Sequence, residues 1–202
     1  FFVILLILFP QSAYSNEKGN SALIVANYSL NGEKNFSKTI LLNGESKGSG
    51  LTFDEEGNLY LTGSSPFDIL KIDKNGEKIW GIELEKDLEI FALGTDTSNN
   101  LYITGSMKAS LDGKISKGGR DIFLIKISER GPKIWSRIYG SILDESATSM
   151  SIKSDKAVAI VGYVTQQKDI IDIQQNYKDA FVAKYDTEGE LIWTHTFKGK
   201  KS

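Results

Sequence analysis

Residues 179–193 read DAFVAKYDTEGELIW, and the same pattern occurs three times earlier in the chain. Each copy has an apolar run, an Asp or Ser three residues before a Gly, and an aromatic residue four positions after that Gly. The earlier copies are ALIVANYSLNGEKNF at 22–36, FDILKIDKNGEKIW at 67–80 and DIFLIKISERGPKIW at 121–135. Self-similarity at a spacing of about 40 to 60 residues indicates a repeat architecture.

A second motif lies between successive copies: NLYLTG at 58–63, NLYITG at 100–105 and AVAIVG at 157–162. These segments are short and rich in β-branched and aromatic residues, which favours strands bounded by turns. Lys71, Lys126 and Lys184 recur between apolar neighbours, and this alternation predicts strands with one wetter face. We therefore predict an all-β protein of about fourteen strands without helices.

The repeats carry a family resemblance. SILDESATSMSIKSDKAVAIVGYV at 141–164, the hairpin that begins at 179, and GSMKASLDGKISKGGRDIFLIKI at 105–127 resemble the bacterial β-propeller repeat family known as SBBP. The resemblance covers about residues 45 to 198 and implies four-stranded antiparallel blades, but it brings no catalytic signature. Phe36 in place of Trp, Ser128 in place of Asp, and AVAIVG depart from the family's pattern.

In such a β-propeller the chain would hold a starting half-blade at about 21–40 and full blades at about 45–84, 87–139 and 144–197. Because closed propellers have about four to eight blades, about three and a half repeats predict an incomplete ring. Its open blade edges would allow self-association. The repeated Trp80, Trp135 and Trp193 are expected to pack between blades. A two-sheet sandwich is the compact alternative.

The first residues, FFVILLILF, are apolar and are followed by Pro10 and Ala13-Tyr14-Ser15. This pattern is typical of the apolar core and cleavage site of a secretory signal. We predict a signal peptide remnant at 1–15, a flexible lead at 16–20 and propeller repeats over 21–202. A buried terminal strand or a truncated membrane anchor remains as an alternative. The protein would be exported to the periplasm, the cell surface or the medium, and would not span the membrane.

Composition argues against several kinds of site. The formal charge of −2, with lysines and acids mixed along the chain, lacks the basic patch that nucleic-acid binding needs. The chain has no Cys, and its single His195 lies in a predicted outer strand, which argues against a His-rich metal site. Asp73 to Gly76 superficially matches a calcium loop but lacks its further oxygen ligands. We predict no catalytic residue, metal or cofactor; a quinone site of Trp-repeat propellers is a weaker alternative.

Function is predicted from loop placement. In an up-and-down meander the long segments 106–119 and 163–178 lie at the same end of the blades, and long loops on a rigid scaffold commonly bind partners. The predicted binding residues are Glu45, Asp87, Asp112, Lys114, Asp144, Glu145, Lys168, Asp169 and Tyr177. The leading hypothesis is a non-enzymatic scaffold for a protein or polysaccharide. The alternative is a hydrolase or lyase of extracellular polymers that uses Asp144, Glu145 and lysines at the channel mouth.

Overall fold

The computed structural model describes residues 3–10, 20–29, 31–43, 50–64, 67–85, 87–108, 110–153, 157–166 and 177–199. Within these ranges every regular element is a strand, and the all-β prediction is confirmed. The strands are β1 (Val3–Pro10), β2 (Asn20–Tyr28), β3 (Lys34–Asn43), β4 (Gly50–Phe53), β5 (Leu59–Ser64), β6 (Phe67–Ile72), β7 (Lys78–Ile82), β8 (Leu88–Thr95), β9 (Leu101–Met107), β10 (Ser110–Leu111), β11 (Lys114–Ile115), β12 (Asp121–Ile127), β13 (Lys133–Tyr139), β14 (Asp144–Lys153), β15 (Ala157–Gln166), β16 (Tyr177–Tyr185) and β17 (Leu191–Phe197).

The chain divides into two compact units, Phe1–Leu84 and Glu85–Ser202. The first unit contains sheet 1, with strand order β1-β2-β3, and sheet 2, with order β4-β5-β6-β7. The second contains sheet 3, formed by β8, β9, β12 and β13 in that order, and sheet 4, with order β14-β15-β16-β17. The strands of all four sheets pair antiparallel.

Three strands go beyond those that the sequence predicts. β10 and β11 form a separate hairpin inside the segment that was expected to be a long loop between β9 and β12. Its turn is Asp112-Gly113 with φ values of 51° and 73°, and Asp-Gly with two positive φ angles is typical of a two-residue hairpin. β1 is the third addition, and it pairs with β2 along its whole length.

One turn geometry closes the repeated hairpins. In the turn after β16, Gly189 donates its N–H to the Asp186 carbonyl at 3.2 Å, and Asp186 donates its own to the Glu190 carbonyl at 3.0 Å. Oδ1 of Asp186 accepts the amides of Glu188 and Glu190 at 2.9 and 2.8 Å. Gly189 has φ +79°, which costs glycine little, and this explains the Asp-x-x-Gly spacing. The same backbone pattern begins at Ser29, Asp54, Asp73, Asp96 and Ser128.

The first two lysines of the repeated position are buried, so the predicted wetter face is wrong for them. In sheet 2 Lys71 Nζ lies 3.2 Å from Asp54 Oδ2 and 4.8 Å from the centre of the Tyr60 ring. The Tyr60 ring in turn meets Trp80 edge-on at 5.7 Å. For a lysine buried in this way, a carboxylate and an aromatic face take the place of the water that burial removes.

Sheet 3 repeats this arrangement. Lys126 Nζ lies 3.6 Å from Asp96 Oδ2 and 5.1 Å from the centre of the Tyr102 ring, which contacts Trp135 edge-on at 5.9 Å. In sheet 4 the residue that corresponds to these tyrosines is Ala159, opposite Lys184. Because alanine stands at the tyrosine position, sheet 4 has no aromatic ring there between Lys184 and Trp193.

Sheets 3 and 4 share the core of the second unit. Tyr102, Ile122 and Leu124 of sheet 3 pack against side chains of sheet 4. Those side chains are Ala147, Val158, Ile160, Phe181, Ala183 and Tyr185. Since these positions alternate along β15 and β16, one face of sheet 4 is buried by sheet 3.

Trp135 lies at the rim of this core and contacts the turn of the next sheet. A Cβ added at Gly189 would sit 2.9 Å from Cη2 and Cζ3 of Trp135, so the ring packs on a bare backbone. Beside it, Arg137 Nη2 lies 3.2 Å from Glu190 Oε1 and donates to the Glu188 carbonyl at 2.7 Å. The turn is thus held by a ring and an ion pair, and any side chain at Gly189 would displace it.

The first unit contains the same contact between sheets 1 and 2. A Cβ at Gly76 would lie 3.6 Å from Cε2 of Phe36 and 3.1 Å from Cδ of Lys38. Lys38 Nζ lies 2.5 Å from Glu77 Oε1. We call this arrangement the aromatic–turn lock: an aromatic residue, a basic residue two positions later, and the Gly-Glu turn of the following sheet.

Trp135→Ala should lower the free energy of unfolding by about 3 kcal/mol, because it removes a ring packed between two sheets. Trp193→Ala, at the same repeat position on an open strand, should cost less than about 1 kcal/mol and serves as the control. Chemical denaturation of both variants measures the difference. Equal losses would contradict the packing role of Trp135.

Candidate functional site

The antiparallel registers bring several segments to one end of sheets 3 and 4. At this end Asp121 pairs with Met107, and Asp144 pairs with Thr165. The backbone joins the two sheets here, because the Glu145 amide donates to the Arg120 carbonyl at 2.8 Å. We call this region the loop end; it includes the segments before β12 and before β14, and Asp87 precedes β8 here with φ 69°.

Glu145 is the most buried of the predicted site residues whose side chains are described. Its two carboxylate oxygens each accept the Ser141 amide at 3.2 Å, and Oε1 also accepts the Ser141 hydroxyl. Burial raises the pKa of Glu145; the Ser141 hydrogen bonds oppose this rise, and the charges of Asp121 and Asp144 add to it. The hydrogen bonds to Ser141 hold the Glu145 side chain in one position.

Asp144 is exposed and binds the neighbouring segment. Its Oδ1 accepts the amide of Arg120 at 2.9 Å. The Arg120 side chain binds Glu89 with two hydrogen bonds, at 2.5 and 3.0 Å, and a third goes to Ser106 Oγ at 2.9 Å. The bond to Arg120 lowers the pKa of Glu89 and raises that of Arg120. This network fixes the start of β12 relative to the start of β14.

Asp112 is engaged away from Glu145. The β10–β11 hairpin folds against the first half of β13, where the Asp112 carboxylate accepts hydrogen bonds from Lys133 and Ser136. The bond to Lys133 and then the bond to Ser136 lower the pKa of Asp112. Its amide donates to Glu85 Oε1 at 2.9 Å. Lys114 is exposed on β11 of the same hairpin.

The remaining predicted residues are placed as follows. Tyr177 begins β16 opposite Gln166, and its side chain is outside the described part of the structure. Glu45, Lys168 and Asp169 also lie outside the described residues. His195 lies on the outer strand β17 with its ring 5.4 Å from that of Trp193.

A cavity of about 330 Å³ lies between β13 and the strands β16 and β17. Its walls are mostly apolar, with Ile122, Phe181 and Leu191, and its polar groups include Lys117 and Glu145 from the loop end. Tyr139 and Tyr185 also line it, with ring centres 4.3 Å apart. Burial raises the pKa of both tyrosines, and the Tyr139 hydroxyl donates to the Gly189 carbonyl.

Sequence reasoning missed Asp121, which is completely buried beside this region. Its Oδ2 accepts the Lys117 amide at 2.8 Å, whereas Oδ1 is buried without a hydrogen-bond partner among the described residues. The repeat contains the signal, since Asp179 occupies the same place on β16, five residues before the repeated lysine. Its Oδ1 accepts the amide of Gly199 at 2.9 Å and so ties down the chain leaving the fourth strand of sheet 4.

Two features are absent from the described residues. No helix there is long and apolar enough to cross a membrane. No three His, Asp or Glu side chains of those ranges are grouped as a metal ion would require.

Residues 41–70 match the model of the SBBP family, described as a beta-propeller repeat. The resemblance inferred from the sequence is therefore confirmed over this stretch. Regulatory protein FlaEY of Caulobacter vibrioides is 26% identical over 113 residues, which cover 50% of this chain and 12% of that protein. The chain thus spans about an eighth of this relative's length.

Solved structures with a similar backbone are more distant. A virginiamycin B lyase from Staphylococcus aureus has a TM-score of 0.44 and 13% identity, with 100% of this chain and 76% of the lyase covered. A protein of unknown function from Bacteroides caccae has a TM-score of 0.34 and 9% identity, with 88% and 90% covered.

Glu145→Gln should change how stability depends on pH. Because the folded pKa of Glu145 is raised above its usual value of 4.5, the native state binds more protons than the unfolded state above that pH. The favourable contribution of the Glu145 carboxyl to the free energy of unfolding is complete below its pKa in the unfolded chain. It is lost as the pH rises through its pKa in the folded protein. Chemical denaturation at a series of pH values from acid to neutral should therefore show that the free energy of unfolding falls more steeply with pH for the wild type than for Glu145→Gln.

The exposed Glu188→Gln provides the control for this titration. It should leave the wild-type pH dependence unchanged. If Glu145→Gln also retains that dependence, the burial of Glu145 in the folded protein is wrong.

Proposed function

We propose that this protein is an exported β-propeller repeat protein that acts as a non-enzymatic binding scaffold at the cell envelope or outside the cell. Sheets 2, 3 and 4 would be its four-stranded blades, and β2 and β3 of sheet 1 its starting half-blade. The SBBP match at 41–70 and the repeated meander support this architecture. The apolar segment with a cleavage-site pattern at 1–15 supports export.

Exposed apolar side chains near the loop end carry the binding proposal. Ile142 is 83% exposed and Ile115 is 77% exposed, the highest values among the large hydrophobic residues of the described ranges. Their segments adjoin, because a Cβ added at Gly118 would lie 2.8 Å from the carbonyl carbon of Ile142. We call this the isoleucine surface; exposed Lys108, Lys114 and Lys117 accompany it.

The chemistry of the isoleucine surface favours a protein partner over a polysaccharide. Branched aliphatic side chains gain most by entering an apolar pocket of another protein, whereas sugars are commonly held by flat aromatic rings with polar neighbours. Tyr139, an aromatic ring at this end, is already stacked against Tyr185. The lysines add steering toward an acidic rim on the partner.

Capture from envelope extract on the immobilised chain, followed by calorimetry with the purified captured protein, tests this proposal. Ile115→Ser with Ile142→Ser should weaken binding by at least about tenfold, because two apolar contacts are lost. The control is Ile134→Ser, a residue that is 50% exposed in the same unit on β13. Equal affinity for all three proteins, or capture of glycan alone, would contradict the proposal.

A hydrolase or lyase is the second candidate, and one observation favours it. Glu145 is buried with a raised pKa, whereas the adjacent Asp144 is exposed, and Glu145 lines the 330 Å³ cavity together with Lys117. Two carboxyl groups in different environments can divide acid and base roles. Polymer cleavage that is lost in Asp144→Asn with Glu145→Gln would replace the scaffold proposal with this one.

A further inference from the structure

Among the described residues of the second unit, one acceptor of the aromatic–turn lock receives no turn. On β17, Trp193 and His195 occupy the positions that Trp135 and Arg137 occupy on β13, as an aromatic residue and a basic residue two places later. Both are exposed, and Trp193 is 41% accessible although its counterpart packs between sheets. No sheet follows β17 among the described residues.

The open face extends across sheet 4. Lys184 pairs with Trp193, Val182 with His195 and Ala180 with Phe197, so these side chains lie on the same face as the tryptophan. Val161, opposite Val182, and Phe197 are both exposed. This face corresponds to the one on sheet 3 that sheet 4 covers. It is therefore built like a surface that receives another sheet.

The first unit holds the complementary unused turn. Ser29 donates to the Glu33 carbonyl at 2.8 Å and Gly32 to the Ser29 carbonyl at 3.0 Å, the same geometry as at Gly76 and Gly189. Gly32 has φ +79° and, within the described part of the chain, nothing lies within 4 Å of a Cβ placed there. Gly32 and Glu33 are exposed, whereas Gly76 and Gly189 are buried.

We propose that Trp193 and His195 of one molecule receive the Gly32–Glu33 turn of a second copy of this chain. Gly32 would lie on the indole ring as Gly189 lies on Trp135, and the Glu33 carboxylate would accept a hydrogen bond from the His195 ring at the place where Glu190 pairs with Arg137. The contact joins two different surfaces, so it adds molecules head to tail. It uses neither the isoleucine surface nor the cavity, and so does not depend on the proposed function.

Charge and shape both select this occupant. In each of the two locks that the units contain, a glutamate directly after the turn glycine meets the basic residue of the acceptor, at 2.5 and 3.2 Å. Glu33 follows Gly32 in the same way. The ring position tolerates only a residue without a side chain, and Gly32 fulfils that requirement at an exposed turn.

Sedimentation velocity of the full chain over about 1 to 100 μM tests the proposal. The wild type should show a mass that rises with concentration. Trp193→Lys removes the acceptor ring, and Gly32→Asn adds a side chain to the turn while Asn still tolerates positive φ. Each should weaken association by at least about tenfold.

Two matched controls separate docking from folding. Ile192→Lys changes a neighbour on the opposite face of β17 that is 51% exposed, and Gly57→Asn changes a turn glycine with φ +83° and an equally empty Cβ position. Both should associate like the wild type. Loss of association in either control to the same extent as in the variants would overturn the proposal.

Mixing the two variants gives the sharpest result. Trp193→Lys retains the turn and Gly32→Asn retains the acceptor, so an equimolar mixture should form a heterodimer that grows no further. A monomeric wild type, association of Gly32→Asn at wild-type strength, or a mixture that behaves as the sum of its parts would each overturn the proposal. Association of Gly32→Asn at wild-type strength would mean that a surface other than the Gly32–Glu33 turn covers Trp193.

Discussion

The packing of a bare turn glycine on the aromatic ring of the preceding repeat is the constraint on which the rest of the structure depends. It requires a residue without a Cβ and with a positive φ at the hairpin turn, which Gly189 and Gly76 provide. It also requires a large ring at one fixed strand position of the preceding sheet. The spacing from turn to ring is therefore constant in all copies, whereas the connections at the loop end vary in length.

A second constraint operates inside individual sheets. The aspartate that closes the first hairpin also neutralises the buried lysine of the third strand, as Asp54 does for Lys71. Tyr60 and Tyr102 place an aromatic face over that lysine and an edge against the tryptophan. Polar and apolar parts of the repeat are thus coupled. In sheet 4, with Ala159 at the tyrosine position, the tryptophan lies instead beside His195 on an open strand.

Much of the fold could be predicted from the sequence because its signals are local. Asp-x-x-Gly encodes the turn within four residues, and alternating β-branched residues encode the strands. The hairpin β10–β11 was missed although Asp112-Gly113 is a strong hairpin signal, because the segment was read as a variable loop. The buried lysines were misjudged since alternation alone cannot distinguish a solvated charge from one paired across two strands.

The candidate site was less predictable because its contacts join residues far apart in the chain. Asp144 and Glu145 were identified from their place before an inner strand, and the structure brings both to the loop end. The bond from Arg120 to Glu89 and the burial of Asp121 depend on how two strand starts meet, which no local pattern specifies. Asp112 was grouped with the site by chain position, but its hairpin folds back onto β13.

Nuclear Overhauser spectroscopy on the folded protein tests the central claim most directly. Because Cζ3 and Cη2 of Trp135 lie against Gly189, we expect cross-peaks between the Hζ3 and Hη2 protons of Trp135 and the Hα protons of Gly189. The ring current should also displace those Hα resonances from their random-coil values. Absence of the cross-peaks, with Gly189 at random-coil shifts, would contradict the aromatic–turn lock.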